Sequence, residues 1–370
     1  MHVALTGATG FLGLRLLREL LTRHDSLTVL AHSGGACALR RITRFMELTG
    51  APASLVEELP RRLRTVDVDL GRPRMGLSAD AFQELADELD VIWHSAGNIK
   101  LDDALVNLRQ VNVEGTRTVL ELAAVGVRKP VVHHISTAFV GGARRDGVLY
   151  EDELDDTHGF ENGYEQSKYE AEVLVREWSR VHGRPVVIMR PGVLVTDLPP
   201  HPDLPRHPMQ FIREAGQSWL PEVTGAMSHG NRPVLRMPGH PHGHLNLMPV
   251  EHAAAVMVQL AGMPSSGRVD TYHVVHEHDV SVDVMTALTE RFMRVQVKIV
   301  DEAPEDPTPL EAATDLYPGF MAYLKHRRRF DDTRVRTLLG PVSSGIRVGV
   351  EYLSSGLTTK ATAVSGTGAR

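Results

Sequence analysis

The chain has 370 residues, of which 42% are hydrophobic and 5% aromatic, enough to bury a sizeable core in one large or two modest domains. Its 40 Lys and Arg against 46 Asp and Glu leave a formal charge of -6 with no long block of one sign, which argues against a nucleic acid or an anionic membrane as partner. Cys37 is the sole cysteine, so an internal disulfide framework and a cysteine-based metal cage are excluded, in keeping with a reducing cytoplasm.

The opening MHVALTGATG reads as a strand running into a glycine turn, leaving no room for a signal peptide. No apolar run approaches the ~20 residues of a membrane span, and a soluble cytoplasmic protein is expected. Strands are predicted at HVALT, LTVLA, RTVDVD, VIWHSA, VVHHIS and VVIMR. Between them, FLGLRLLRELLTR, SADAFQELADELD, DALVNLRQVNVEGTRTVLELA and YEQSKYEAEVLVREWSRVHG repeat apolar residues every three or four positions. That alternation predicts an α/β fold, a doubly wound parallel Rossmann sheet covered by helices on both faces.

After RPG at 190–192 the texture changes. TDLPPHPDLPRHP and RMPGHPHGHLNLMP are dense in Pro and His, which disfavours regular structure and suggests a smaller interleaved substrate-binding lobe. HLNLMPVEHAAAVMVQLAG and TYHVVHE then read as a return to the sheet. The expected organisation is a nucleotide-binding domain over 1–192 joined by 244–276, a substrate lobe from 193–243 and 277–352, and a mobile tail over 353–370 that lacks apolar periodicity.

TGATGFLG, Thr6 to Gly13, lies between the first strand and the first helix. Gly7, Gly10 and Gly13 allow a tight turn, a close approach of backbone to pyrophosphate and close helix–strand packing, while the helix start offers free N–H groups. In this strand–turn–helix setting Thr6, Gly7, Thr9, Gly10, Phe11, Leu12 and Gly13 are candidate dinucleotide contacts. An NAD-preferring site carries Asp or Glu about 20 residues beyond the glycines. Here Ala31, His32 and Ser33 hold that place and no carboxylate follows before Glu47. Arg40, Arg41 and Arg44 come soon after, and a guanidinium is a natural partner for a 2′-phosphate, so NADP(H) is favoured, with His32, Ser33 and Arg40 beside it. Asp69 and Leu70 close the third strand, where adenine contacts fall. Ser95, Ala96 and Gly97 close the fourth, at the edge where such sheets bind ligands. His94 reads equally well as a satisfied core histidine.

In ENGYEQSKYEAE two tyrosines flank Lys168. On a helix Tyr164 shares a face with Lys168, whereas Tyr169 is turned away by about 100°. A nearby ammonium favours the ionised form of a tyrosine whose ordinary pKa is near ~10. HHISTAFVGG places two hydroxyls, Ser136 and Thr137, at the end of the fifth strand, where either can polarise a carbonyl oxygen that the tyrosine protonates.

Together, the glycine motif, NxxGT at Asn112 to Thr116, the strand-end ST and YxxxK resemble the extended short-chain dehydrogenases/reductases over nearly the whole chain. The stretches VDLGRPRMGLS, NGYEQSKYEAEVLVRE, RPGVLVTD and LNLMPVEHAAAVM resemble thioester reductase domains. Such domains terminate nonribosomal peptide and polyketide lines and carboxylic acid reductases, and they are related to fatty acyl-CoA reductases. The resemblance implies Thr137 as the carbonyl-polarising hydroxyl, Tyr164 as the acid, Lys168 as the residue that holds the nicotinamide ribose and lowers the tyrosine pKa, and Asn112 as a brace. It also implies that Pro191, Gly192 and Val193 border the nicotinamide. His32 departs from the arginine common in these reductases. The implied activity is NADPH-dependent reduction of an acyl thioester to an aldehyde, with the alcohol as a further product. The substrate would ride on CoA or on a carrier protein, which would dock in trans. The alternative is an extended enzyme acting on a nucleotide sugar, steroid or other ketone or alcohol. A non-catalytic nucleotide-binding scaffold is argued against by the intact Thr137, Tyr164 and Lys168.

Two further features carry less weight. HPHGH, with His240, His242 and His244 and with His252 behind, matches no zinc spacing, so no metal is expected. KHRRRF, Lys325 to Phe330, reads as a solvated helix end or as a receptor for a phosphate or an acidic carrier face.

Overall fold

A computed structural model describes residues 1–32, 34–218, 232–265, 267–314 and 321–359. Seven short strands, β1 (Val3–Thr6), β2 (Leu27–Ala31), β3 (Leu63–Asp67), β4 (Val91–His94), β5 (Val131–Ile135), and the strands Val186–Pro191 and Val269–Val274, form one sheet. All its pairings are parallel. β1, β2 and Val186–Pro191 are buried along their whole length, as expected when helices cover both faces and strands become continuous apolar runs. The order, from Val269–Val274 through Val186–Pro191, β5, β4, β1 and β2 to β3, reverses direction between β1 and β4. That switch point opens a crevice at the carboxyl ends of the strands.

The first helix, α1 (Phe11–Leu21), buries Leu12, Leu14, Leu16, Leu17, Leu20 and Leu21, the stripe that the period of 3.6 puts on one side. The segment expected as one helix over 103–123 is two, Leu105–Arg109 and Gly115–Val125, joined by a π turn at Gln110–Glu114. Buried Asn112 lies in that turn; π turns of this kind recur at functional sites. The catalytic-motif helix, Gly163–His182, starts at Asn162, whose side chain accepts from Glu165 N, and stops at Gly183 in the left-handed conformation at φ 63, each a recognised terminal device.

A second core unites Phe139, Met209, Ile212, Leu235, Met237, Leu288, Tyr323, Leu324, Leu353 and Leu357. Short strands rather than irregular loops stiffen this lobe. Val193–Val195 pairs with Leu247–Pro249, and Val234–Pro238 with Gln296–Val300. The segment expected to return at 244–276 is divided: His244–Leu245 pairs with Val280–Ser281 in the lobe, while the helix Val250–Ala261 packs on α1 in the first core. The tail expected from 353 overlaps a helix, Val350–Leu357, because Leu353 and Leu357 bury themselves in the second core; residues 360–370 lie outside the described residues.

Candidate active site

At the switch point the glycine loop makes a cradle that side chains would fill. Gly7 has φ +70, and a Cβ there would come within 2.6 Å of Ala96 N. A Cβ on Gly13 would overlap the Gly7 carbonyl, and one on Gly10 would lie 3.1 Å from the same oxygen. No side chain caps α1 and no acidic residue occupies its first turn, so its N–H groups and positive dipole end face the cleft. Thr6 is buried behind the loop, where its hydroxyl accepts from Ser95 N at 3.2 Å and Ala96 N at 3.1 Å. It thereby locks the β4 exit against the glycine turn. Bare backbone and an uncapped helix start with no acidic residue in its first turn are what a pyrophosphate needs, so these residues fit the expected dinucleotide.

Gly7, Gly10, Phe11, Leu12, Gly13, Ser95, Ala96 and Gly97 line a cavity of ≈ 500 Å³ together with Thr137, Tyr164, Lys168, Pro191, Gly192 and Val193. The sequence candidates from five separate stretches thus meet at one place. Others lie beside it. Thr9 is outside the lining. His32 and Arg40 are exposed beyond β2, with Arg40 reaching the Cys37 sulfur at 3.6 Å, and Ser33 lies outside the described residues. Asp69 and Leu70 do not end a strand, since β3 stops at Asp67. They form the following turn: Asp69 Oδ1 accepts from Gly71 N, and the Leu70 carbonyl accepts from Thr118.

Asn112 braces the cleft without lining it. Its Oδ1 accepts from Asn98 N at 2.8 Å, and its Nδ2 donates to Asn98 O and Ser167 Oγ, each at 2.9 Å. The loop after β4 is thereby tied to the catalytic-motif helix. His94 is a core histidine, bonded on both ring nitrogens to Thr6 and Thr116 at 2.9 and 3.0 Å, and burial draws its pKa down to about 3.

The two strand-end hydroxyls separate. Thr137 shares a hydrogen bond with Tyr164, whereas Ser136 Oγ donates to Glu172 at 2.8 Å. Glu172 is in turn clasped by Arg190 and Arg176. Tyr169 packs against Phe160, rings tilted at 55° and 5.2 Å between centres, away from the cavity lining. Lys168 Nζ donates to Ile135 O at 2.7 Å. Burial lowers the Lys168 pKa to about 8, with Glu172 opposing. The expected lowering of the tyrosine pKa is reversed: burial pushes Tyr164 up to about 12, outweighing the Thr137 hydrogen bond, and Glu165 adds to the rise. A phenol in a low-dielectric wall holds its proton.

Sequence reading missed the far wall, made of Ile99, Leu101, Phe139, Met209, Phe211 and Tyr323. Ile99 and Leu101 follow HSAG directly and were within reach of pattern reading; Tyr323 was not, as the second lobe alone brings it in. KHRRRF is also not a free basic run: Arg328 is buried, donating to the Gly142 and Arg144 carbonyls, and Arg327 pairs with Asp146. Among the described residues no cluster of His, Cys, Asp or Glu could hold a metal, and no helix is long and apolar enough to cross a membrane.

Comparison with known proteins places this geometry. A linear gramicidin synthase of Brevibacillus parabrevis is 31% identical over 295 residues, covering 77% of this chain and 5% of that protein. Carboxylic acid reductase of Mycobacterium tuberculosis is 31% identical over 299 residues, covering 75% of this chain and 24% of its own length. This chain therefore spans a quarter or less of either relative. The terminal R domain of the myxalamid PKS-NRPS biosynthetic pathway superposes with a TM-score of 0.72 at 28% identity, covering 96% of this chain and 89% of the other. The family model described as Male sterility protein, an NAD-binding family, matches residues 5–257, from within β1 to the helix that packs on α1. The chain belongs to that family and is an NAD(P)-dependent oxidoreductase of the extended short-chain dehydrogenase/reductase type.

Proposed function

We propose that the chain is an NADPH-dependent reductase of an acyl thioester, carrier-borne or CoA-linked, that yields the aldehyde and, by a second round, the alcohol. The observation that carries this reading is the shared cavity. A dinucleotide cradle and a Thr137–Tyr164–Lys168 set form one wall, and apolar side chains suited to an acyl chain, from the loop after β4 (Ile99, Leu101) and from the second core (Phe139, Met209, Phe211, Tyr323), form the other. The likeness to a peptide synthase, a carboxylic acid reductase and a terminal R domain supports the thioester class. Arg40, His32 and the missing carboxylate after β2 support the phosphorylated cofactor.

With its pyrophosphate in the cradle, a bound nicotinamide dinucleotide would supply a hydride to the carbonyl carbon. The residues of the chain do the rest. Thr137 and Tyr164 hydroxyls stabilise the oxyanion as charge develops, and Tyr164 gives it a proton. Lys168, fixed by Ile135 O, presents its remaining N–H groups to the ribose side. The hemithioacetal so formed collapses to aldehyde and free thiol.

The test is turnover of acyl-CoA and acyl-carrier thioesters with NADPH, following nicotinamide absorbance and thiol release together. Cofactor oxidation on ketones or nucleotide sugars without thiol release from any thioester would refute the substrate class while leaving the oxidoreductase in place.

A further inference from the structure

Two glutamates on the catalytic-motif helix are fully buried, and they are treated differently. Glu172 meets Arg190 at 2.6 Å and Arg176 at 2.8 Å, a clasp that keeps it charged. Glu165 follows Tyr164 directly. Its Oε2 is pinned in the helix cap by Glu161 N at 2.9 Å, but Oε1 is buried without a hydrogen-bond partner among the described residues. The nearest cation, Arg328 Nη2, stands off at 3.8 Å and is itself held over the rings of Phe139 and Phe330 at 5.1 and 5.6 Å. Tyr323 completes the group. Its hydroxyl accepts from Asn162 Nδ2 at 2.9 Å, faces the Glu165 carboxyl, and lines the cavity with Tyr164.

We propose that Glu165 and Tyr323 form the route that returns a proton to Tyr164 after each reduction, the carboxyl storing it and the Tyr323 hydroxyl passing it across the cavity wall. When Tyr164 O–H breaks and its proton goes to the oxyanion, the Tyr323 O–H proton moves to the Tyr164 phenolate. The carboxylic O–H proton of Glu165 then moves to Tyr323. The carboxylate left behind is faced by Arg328, and solvent refills it between turnovers. A carboxyl held in a two-point ion pair cannot serve in this way, because it does not take up the proton at working pH.

The groups facing Glu165 are Arg328, which favours its charge, and Glu161 and Tyr323 with Tyr164 beyond, while Arg145 and His326 are occupied with Glu161. Burial prevails and pushes the Glu165 pKa up to about 7, the value at which a store both fills and empties at neutral pH.

The inference rests on Tyr164 being the acid of the proposed reaction. Tyr323→Phe should lower kcat about tenfold or more with KM little changed and an enlarged solvent isotope effect, in line with general-acid contributions. Glu165→Gln should remove a near-neutral inflection from the kcat profile. Independently of turnover, infrared difference spectra should show a protonated carboxyl that titrates near neutral pH in the wild-type chain and is missing in Glu165→Gln; subtraction removes Glu151, which burial also pushes up to about 7. Packing alone would alter KM or stability and leave the profile and isotope effect untouched. Wild-type kcat and pH profile in Tyr323→Phe, or no spectral difference on Glu165→Gln, overturns the route. Undiminished turnover in Tyr164→Phe would instead overturn the site assignment beneath it.

Discussion

Glu172→Gln isolates the network behind the cavity wall that carries Ser136, Thr137 and Pro191. The side chain is fully buried. It receives Arg190 through Nη2 at 2.6 Å and Nε at 3.1 Å, Arg176 Nη2 at 2.8 Å, and the Ser136 hydroxyl at 2.8 Å. Arg190 precedes Pro191 and Ser136 precedes Thr137, so one carboxylate ties together two strand ends that line the cavity. Despite burial, the arginines hold its pKa at about 2 against an ordinary 4.5. At 1.36 kcal/mol per unit that is worth about 3 kcal/mol of stability. Breaking a buried pair by removing one partner costs about 3–5 kcal/mol, so both routes agree. The sign follows from the lowered pKa: the contribution is fully present above about 4.5 and is lost as pH falls towards about 2. Urea unfolding of both proteins at neutral and acid pH reads it. Glu172→Gln should be less stable by about 3 kcal/mol at pH 7, and the gap should close on acidification. A penalty below about 1 kcal/mol, or a gap constant with pH, would refute a charged clasp.

Three further outcomes bear on the site. Tyr164→Phe should cut turnover about 10²- to 10⁴-fold with dinucleotide binding retained in calorimetry, whereas Tyr169→Phe, which loses no bond to the cleft, should stay within about twofold. Gly13→Ala should abolish dinucleotide binding in the same titration while the chain still unfolds cooperatively, because the new Cβ overlaps the Gly7 carbonyl. Arg40→Ala should raise KM for NADPH by about tenfold and leave NADH unaffected, the loss expected for one charge-assisted bond; equal effects on both nucleotides would remove Arg40 from the site.

The nucleotide-binding half was legible because each of its signals is local. Strands such as Leu27–Ala31 are short, mostly apolar β-rich runs, α1 shows its buried leucines at helical spacing, and the glycines fall between strand and helix. The second lobe was not, because its order comes from distant pairing: Val234–Pro238 is a strand only because Gln296–Val300 lies beside it, and a run rich in Pro and His conceals that. Tyr323 shows the same limit at the site, since it meets Asn162 from 161 positions away and nothing in AYLKH marks it. The direction of the Tyr164 shift was also misjudged. The Lys168 spacing is a pattern readable at four residues, while the desolvation that raises Tyr164 against its Thr137 hydrogen bond belongs to the assembled wall.

That misjudgement bears on which way the site works. A tyrosine pushed up to about 12 is protonated at neutral pH, which suits the acid role proposed for Tyr164 in a carbonyl reduction; alcohol oxidation needs the phenolate as base. Lys168, drawn down to about 8, is then the group whose titration limits the alkaline side. It is charged below about 8 and loses its ammonium above, although Tyr164 still holds its proton there. Reductive turnover should accordingly fall as pH rises through about 8, with KM for the nucleotide rising as the ammonium facing the ribose side is lost. Lys168→Arg, whose guanidinium keeps its charge, should carry the fall to higher pH whatever its effect on the maximal rate. Reductive turnover that stays level well above pH 8 in the wild-type chain, or an alkaline fall in Lys168→Arg at the same pH, would show that the ammonium is not what the alkaline limb reports.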